Sequence, residues 1–520
     1  MSHPFASHEF DRRTLLQGAA ATTGALLLPR GAFAQEKPKR GGTLRVSMTY
    51  NPAALDPMTG RNGPDFNTLL AIFDSLLDLD PATMAVKPML ASKWTWTSGT
   101  TLALDLRTDV TFHDGTAFDA DAAKFNLDRA RSDPRSNVKA DCVSIDAVEV
   151  TGKHQITIRL NRPNSSIPTI LTDRPGLMVS PTSIKNADKG NVDRAPVGTG
   201  PFKYVSWQDN DRIVLVRNDK YWQPGLPYLD GMVLRIITET ATGLRSVLAG
   251  ENDIALNLDI QKKTIADRDS NLVVDLYPTT YYWGAYLNYG KPPLDNLKVR
   301  QALSWGIDRD AMNKTISLGL ATPGNGVIPK QHWACDPSTY MTYGYSPEKA
   351  RALLAEAGYP DGIDIPMLGW TDQSSLQRQE VAQAQLGKAG IRVQLTTGSP
   401  QDTSIQFFGS TKKGSARISG MGGYADPSQQ YDNLFGKEAY LNASNIELPG
   451  YRELMNATQA TDDMAGRKAA FAKLQKFIVD NALVLTFMFQ TNILVQTRKV
   501  KGVTVDLANK PRFHETWLTA

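Results

Sequence analysis

Ser346-Pro347-Glu348-Lys349-Ala350-Arg351-Ala352-Leu353-Leu354-Ala355-Glu356-Ala357-Gly358 is a helix that carries both of its end signals. Serine followed by proline supplies an N-cap and a first-turn residue with no amide hydrogen to satisfy. Ala350, Leu353, Leu354 and Ala357 then repeat at i, i+3, i+4 and i+7, and glycine stops the run. A second helix of this kind is predicted from Leu376 to Lys388. It ends at Gly390 and leads into Ile391, Val393 and Leu395, which alternate as a half-buried strand does. Helix, glycine and strand in succession are the order of an α/β domain.

Working back toward the N-terminus, Leu44, Val46 and Met48 alternate within Thr43 to Met48, as do Leu102, Leu104 and Leu106, and Ile156, Ile158 and Leu160. Each reads as a strand with one buried face. Asp119 to Ala130 reads as a helix with an acidic start and a stripe of Ala123, Leu127 and Ala130. Gly409 to Gly423, rich in Gly, Ser and Lys, reads as a loop with a short strand near Ile418.

The chain has 520 residues, 41% hydrophobic and 21% charged, which is room for two or three domains and excludes collagen-like, disordered and disulfide-scaffold classes. Its net charge of +4 is scattered, with no basic run to hold nucleic acid. Cys142 and Cys335 are expected as buried thiols. At the N-terminus, Arg12-Arg13-Thr14-Leu15-Leu16 precedes a short apolar run through Leu28, and Ala32-Phe33-Ala34 is a small-residue cleavage site. The paired arginines resemble a twin-arginine export signal, although Asp11 and Leu15 stand where that pattern usually has Ser or Thr and Phe, so ordinary Sec export stays open.

Screening for catalysis finds no Gly-x-Ser-x-Gly, no His-Glu-x-x-His, no phosphate-binding Gly-x-x-x-x-Gly-Lys loop and no Cys-x-x-Cys. Gly198-Thr199-Gly200 is half of a dinucleotide fingerprint, with Lys203 where the third glycine would stand, and is read as a turn. Beyond the signal, His113, His154, His332 and His514 show no metal-ligand spacing on a helix. No cofactor, metal or catalytic residue is expected.

Several stretches, in order, resemble the peptide, opine and nickel solute-binding proteins of ABC importers known as family 5. They are Leu55-Asp56-Pro57, Val110-Thr111-Phe112-His113-Asp114-Gly115, Pro196-Val197-Gly198-Thr199-Gly200-Pro201-Phe202 and Asn218-Asp219-Lys220-Tyr221-Trp222. The series continues with Pro292-Pro293-Leu294-Asp295, Arg300-Gln301-Ala302-Leu303, Ile307-Asp308-Arg309 and Leu353 to Tyr359. The resemblance implies an α/β, two-lobed periplasmic binding protein with an inserted domain and a hinge between the lobes. The expected parts are a signal at 1–34, a first domain at 40–77 with 196–282 and 496–520, an inserted second domain at 78–195, and a third domain at 283–495. It further implies a monomer in the periplasm, working with an ABC permease of the inner membrane on a peptide-like solute, an opine, a glycoside or a chelate. An exported enzyme, or a sensor or chaperone partner built on the same fold, is the alternative.

In this family a segment resembling Gly420 to Pro427 lines the cleft, and an aspartate at the position of Gly423 takes the peptide's α-ammonium. Glycine there removes the carboxylate, and a buried ammonium left unpaired costs several kcal/mol. A neutral or anionic solute is therefore expected. Met421, Gly422, Gly423 and Tyr424, with Tyr50, Arg61, Trp283 and Trp370, are the expected ligand-binding residues. Tyr281, Tyr282, Trp283 and Tyr286 cluster at the expected hinge crossing, and Asp426 before Pro427 reads as an N-cap. On the export signal the expectation is specific: Arg12→Lys with Arg13→Lys stops export, and N-terminal sequencing of the exported wild type begins at Gln35. Undiminished export of the double variant assigns the Sec route instead.

Overall fold

The computed structural model describes residues 37–52, 54–60 and 63–519; the export signal and Arg61 lie outside the described residues. Two long strands, Leu272–Leu287 and Val484–Thr497, lie side by side as antiparallel partners. Among the described residues they form the middle of an eleven-stranded mixed sheet. On one flank follow Ala416–Met421, Ile363–Trp370 and Ile391–Gly398; on the other follow Ile254–Leu258, Thr43–Met48, Gly231–Ile236, Arg212–Arg217 and Phe202–Gln208, and the short strand Thr322–Pro323 pairs with Val484–Thr497 off this path.

The ladder between the long strands runs from Leu272 opposite Thr497 to Pro278 opposite Thr491, breaks, and resumes with Tyr282 opposite Phe489. The hydrophobic cores divide at the same place. Leu272, Ile493, Leu494 and Val495 are buried with the flank that contains Thr43–Met48. Trp283, Ala285, Leu485, Phe487 and Met488 are buried with the other flank. The fold is thus α/β and two-lobed, and each long strand contributes one end to each lobe. On the second strand the break in the ladder falls at Gln490, between Phe489 and Thr491.

Strands Ala91–Ser98, Thr101–Leu106, Gln155–Leu160 and Ile145–Gly152 form a separate antiparallel sheet. The helix Ala120–Ser132 starts at Asp119, whose carboxylate accepts the Ala122 N–H at 3.0 Å. Its Ala123, Leu127 and Ala130 are fully buried against Leu102, Leu104, Ile156 and Ile158, as the alternation and the helical stripe require. In the second lobe Ser346 caps Pro347–Glu356 through the Lys349 N–H, and Gly358 stops that helix at φ +93°. The next helix begins at Gln373, three residues before the expected Leu376. Asp372 accepts from the Ser375 N–H at 3.0 Å and so captures an extra turn.

Three of the stretches that carried the resemblance, 110–115, 196–202 and 218–222, meet at one place. Gly198 and Gly200 abut the end of the helix Phe66–Ile72, and a Cβ on Gly198 would stand 2.2 Å from the Ile72 carbonyl oxygen. Close approach of two backbones requires glycine here, since neither residue sits at positive φ, and the chain bends at 199–201 as the turn reading expects. His113 faces the Gly200 carbonyl at 2.9 Å and accepts the Gly198 N–H at 3.4 Å. The buried Asp74 receives Thr199, Tyr221 and Trp222 at 3.1, 3.0 and 2.8 Å, and burial pushes its pKa up to about 6. Gly198→Ala is expected to cost about 1–3 kcal/mol in urea unfolding, as overpacking does. Gly99→Ala, where nothing lies within 4 Å of the new Cβ, should stay within about 0.5 kcal/mol.

Candidate functional site

Where the long strands change lobes their ladder is interrupted, and side chains take over. Thr279 donates its hydroxyl to the Gln490 carbonyl at 2.8 Å, and the Thr280 N–H donates to the Leu507 carbonyl at 2.7 Å. A polar chain then passes from lobe to lobe. The Trp283 indole N–H donates to Gln490 Oε1 at 3.2 Å, the Gln490 amide donates to Asn492 Oδ1 at 2.5 Å, and the Asn492 amide donates to Asn257 Oδ1 at 3.3 Å. Asn509 donates to the same Asn257 oxygen at 2.9 Å.

This chain borders a cavity of about 70 Å³, walled by Asn257, Asp259 and Gln261 from the first lobe and by Trp283, Arg378 and Gln490 from across the hinge. The Arg378 guanidinium lies over the Trp283 ring, 4.1 Å from its centroid. Among the described residues nothing forms a hydrogen bond or ion pair with Arg378, and burial lowers its pKa. The two nearby acids are engaged elsewhere. Asp259 accepts from the Thr240 hydroxyl at 2.7 Å, and Asp372 caps its helix.

Beside the cavity stands an aromatic wall. Trp283 and Trp370 meet edge to face at 5.4 Å, and Tyr281 meets Trp283 at 6.3 Å. The buried indole N–H of Trp370 has no hydrogen-bond partner among the described residues. Arg417, 4% exposed, lies 5.5 Å from the Trp370 ring; Ser419 and Thr403 hydroxyls at 3.0 and 3.3 Å and the Pro400 carbonyl at 3.1 Å accept from it, with no carboxylate.

The segment after strand Ala416–Met421 divides by residue. The side chain of Met421 is fully buried, its backbone pairs with Tyr282, and it packs with Tyr282, Tyr286 and Phe407 beneath the wall. Gly422 is exposed, with open space where a Cβ would stand. Gly423 is pressed against the crossing strand, and its Cβ position lies 2.2 Å from Thr280 Cβ and 2.5 Å from the Thr280 carbonyl oxygen. Gly423 and Tyr424 share a pocket of about 10 Å³ with Thr280, His332 and Gln430, which is no more than one water's space. Burial drives His332 down to about 4, so it is neutral there. Its Nδ1 accepts the Ala334 N–H at 3.2 Å, which leaves Nε2 facing the Ala425 carbonyl at 3.4 Å.

Asp426 is the N-cap the sequence suggested, accepting the Ser428 N–H at 2.9 Å, and it is further held by both oxygens on Arg467 at 3.0 and 2.9 Å. It is therefore not free to replace the carboxylate missing at Gly423. Across the cleft, Gln429 donates to Asp141 of the inserted domain at 3.0 Å. Burial, with Asp141 and Asp173 nearby, raises the Tyr424 phenol to about 12.

The structure therefore brings Trp283 and Trp370 together, and Gly423 and Tyr424 together. Tyr50 lies half-buried just past strand Thr43–Met48 and lines neither cavity, and Arg61 is outside the described residues. Sequence reasoning missed Arg378, Gln490 and Asn257. Tyr281 to Tyr286 marked the crossing strand, but no local pattern marks polar residues that meet only across it.

Two lobes on paired crossing strands, with a polar and aromatic cleft at the hinge, define a binding protein that closes around a solute. The family model for bacterial extracellular solute-binding proteins, family 5 middle, matches residues 85–442. The glutathione-binding protein GsiB of Shigella flexneri serotype 5b (strain 8401) is 32% identical over 375 residues, covering 71% of this chain and 72% of that protein. The periplasmic binding protein DppA of Helicobacter pylori, solved with the peptide STSA, superposes with a TM-score of 0.78 at 24% identity, over 93% of this chain and 99% of that one. AgaA of A. tumefaciens R10, solved with agropinic acid, gives 0.77 at 24% identity over 92% and 99%. The chain belongs to the family 5 solute-binding proteins and is a solute-binding receptor of the ABC-importer type. Among the described residues no helix is long and apolar enough to cross a membrane.

The packing at Gly423 yields a sharp expectation. Gly423→Asp cannot seat its Cβ without displacing the Thr280 backbone, so it should lose about 1–3 kcal/mol rather than restore an ammonium site. Thermal unfolding of this variant with and without unblocked dipeptides checks both parts.

Proposed function

We propose that the protein is a periplasmic receptor, exported by the twin-arginine route, that captures a small neutral or anionic peptide-like solute between its lobes. It acts as a monomer and passes that solute to an inner-membrane ABC permease. The cleft wall is Trp283, Trp370 and Gly422 to Tyr424. The first lobe comprises the segments around 40–77, 196–277 and 491–520, with 78–195 inserted, and the second runs between the two crossings.

One observation carries the choice of solute. At Gly423 the crossing strand occupies the space a carboxylate would need, and the nearest alternative, Asp426, is locked on Arg467. The cations around the aromatic wall, Arg378 and Arg417, form no ion pair among the described residues, so the cleft favours negative charge. The relatives that bind glutathione support the same class, because glutathione is a small peptide with net negative charge at neutral pH.

Calorimetry and melting temperature test the reading with glutathione, unblocked dipeptides and N-acetylated dipeptides. Binding that tolerates acetylation is expected, with stabilisation of about 2.7 kcal/mol at a hundredfold excess over Kd. Tight binding of unblocked dipeptides that acetylation abolishes would overturn the inference from Gly423. Turnover of these compounds without stabilisation would overturn the receptor assignment.

A further inference from the structure

We propose that Arg378, stacked on Trp283 in the hinge cavity, is an anchor for a carboxylate group of the solute. This deepens the reading above and rests on it for the identity of the cleft.

Comparison with the other half-buried and buried arginines isolates Arg378. Arg309 is fully engaged, donating to the carbonyls of Thr486, Ser304, Gly324, Ile307 and Tyr343. Arg300 donates to the carbonyls of Asn481, Leu294 and Asp295. Arg129, Arg174, Arg467 and Arg512 each hold a buried aspartate. These side chains hold the fold together, and their donors are used. Arg378 has surrendered part of its hydration to lie over an indole, yet its donors have no protein acceptor among the described residues. A guanidinium in that position is costly unless something else accepts from it.

The surroundings select what that acceptor is. On the measure by which one water needs roughly 10–15 Å³, a cavity of about 70 Å³ has room for a carboxylate group with water beside it. The other polar walls are the amides of Asn257, Gln261 and Gln490, which can donate to an anion, and the carboxylate of Asp259, which accepts from the Thr240 hydroxyl. A planar fork of N–H groups matches a carboxylate in two parallel bonds, and the guanidinium is already held over the Trp283 ring, 4.1 Å from its centroid. Because lining residues come from both lobes, an anion held here contacts the hinge itself and favours the closed arrangement.

The experiment measures two kinds of probe on wild type, Arg378→Met and Arg378→Lys. Methionine keeps an apolar stem on Trp283 without the charge; lysine keeps the charge without the fork. Circular dichroism and unliganded melting establish that each variant is folded, and Trp283→Phe serves as a second test if a position 378 variant is not. The first probes are acetate and succinate against acetamide, followed by tryptophan fluorescence. The second are alanyl-alanine and its N-acetylated form, each with a free or amidated C-terminus, followed by calorimetry. Saturable binding of the carboxylates and not of acetamide is expected, at least tenfold weaker in Arg378→Met and intermediate in Arg378→Lys. Peptide binding should fall at least tenfold on C-terminal amidation in wild type and be insensitive to amidation in Arg378→Met. If peptides bind wild type and Arg378→Met equally, the anchor is wrong while the peptide-like reading stands. If simple carboxylates bind through Arg378 and no peptide does, the anchor stands and the peptide-like reading falls. If neither kind of probe binds wild type, both are overturned.

Discussion

The interrupted ladder between Leu272–Leu287 and Val484–Thr497 is the constraint on which the molecule depends. Antiparallel pairing holds the strands together on both sides of the crossing, so neither lobe separates from the other at that edge. Between Pro278 and Tyr282 the ladder is interrupted, and the link to the partner strand there is the Thr279 hydroxyl on the Gln490 carbonyl in place of regular backbone pairing. A hinge needs a few residues that absorb a change in φ and ψ between rigid bodies, and the two cores begin on either side of this gap.

The same interruption creates the site. Backbone groups released from a ladder must find partners, and here Thr279, Thr280 and Gln490 supply or receive them. A hinge built this way concentrates amides and hydroxyls at the one place where both lobes meet. Polar side chains that satisfy the crossing then become the polar lining of the cleft, and the aromatic residues of the same strand give it a dry wall.

Most of the scaffold could be read from the sequence because its signals are local. Asp119, Ser346 and Asp426 each cap the helix that follows, and the alternation at Leu102 and Ile156 marks faces that are buried in the structure. The wall was legible in part: aromatic clustering at Tyr281 to Trp283 marked the crossing strand, but Met421, one residue from exposed Gly422, points into the core. Alternation along Ala416–Met421 cannot say which face is covered, because five of its six residues are buried. Arg378 was illegible for a different reason. On its helix it stands between Gln377 and Gln379 and reads as solvated, and only the fold brings the Trp283 ring beneath it.

The contacts that join the lobes away from the hinge bear on how the receptor works. Gln429 reaches Asp141, the Ser165 N–H donates to the Gln459 carbonyl at 3.1 Å, and Ala425 joins Leu79, Met84 and Leu507 in a small apolar cluster. A single hydrogen bond contributes only about 0.5–1.5 kcal/mol net, because water competes for both partners when the lobes part. Burial, with Asp173 nearby, raises the pKa of Asp141 to about 6, so its charged form is disfavoured where Gln429 meets it. On the proposal above, closing without a solute leaves the Arg378 donors with no acceptor and has only these contacts between the lobes to favour it. A solute that fills the hinge cavity changes both terms at once, and a ligand shifts an equilibrium only by its preference for one state over the other. The weakness of the direct contacts between the lobes is thus what makes closure report that the cleft is filled.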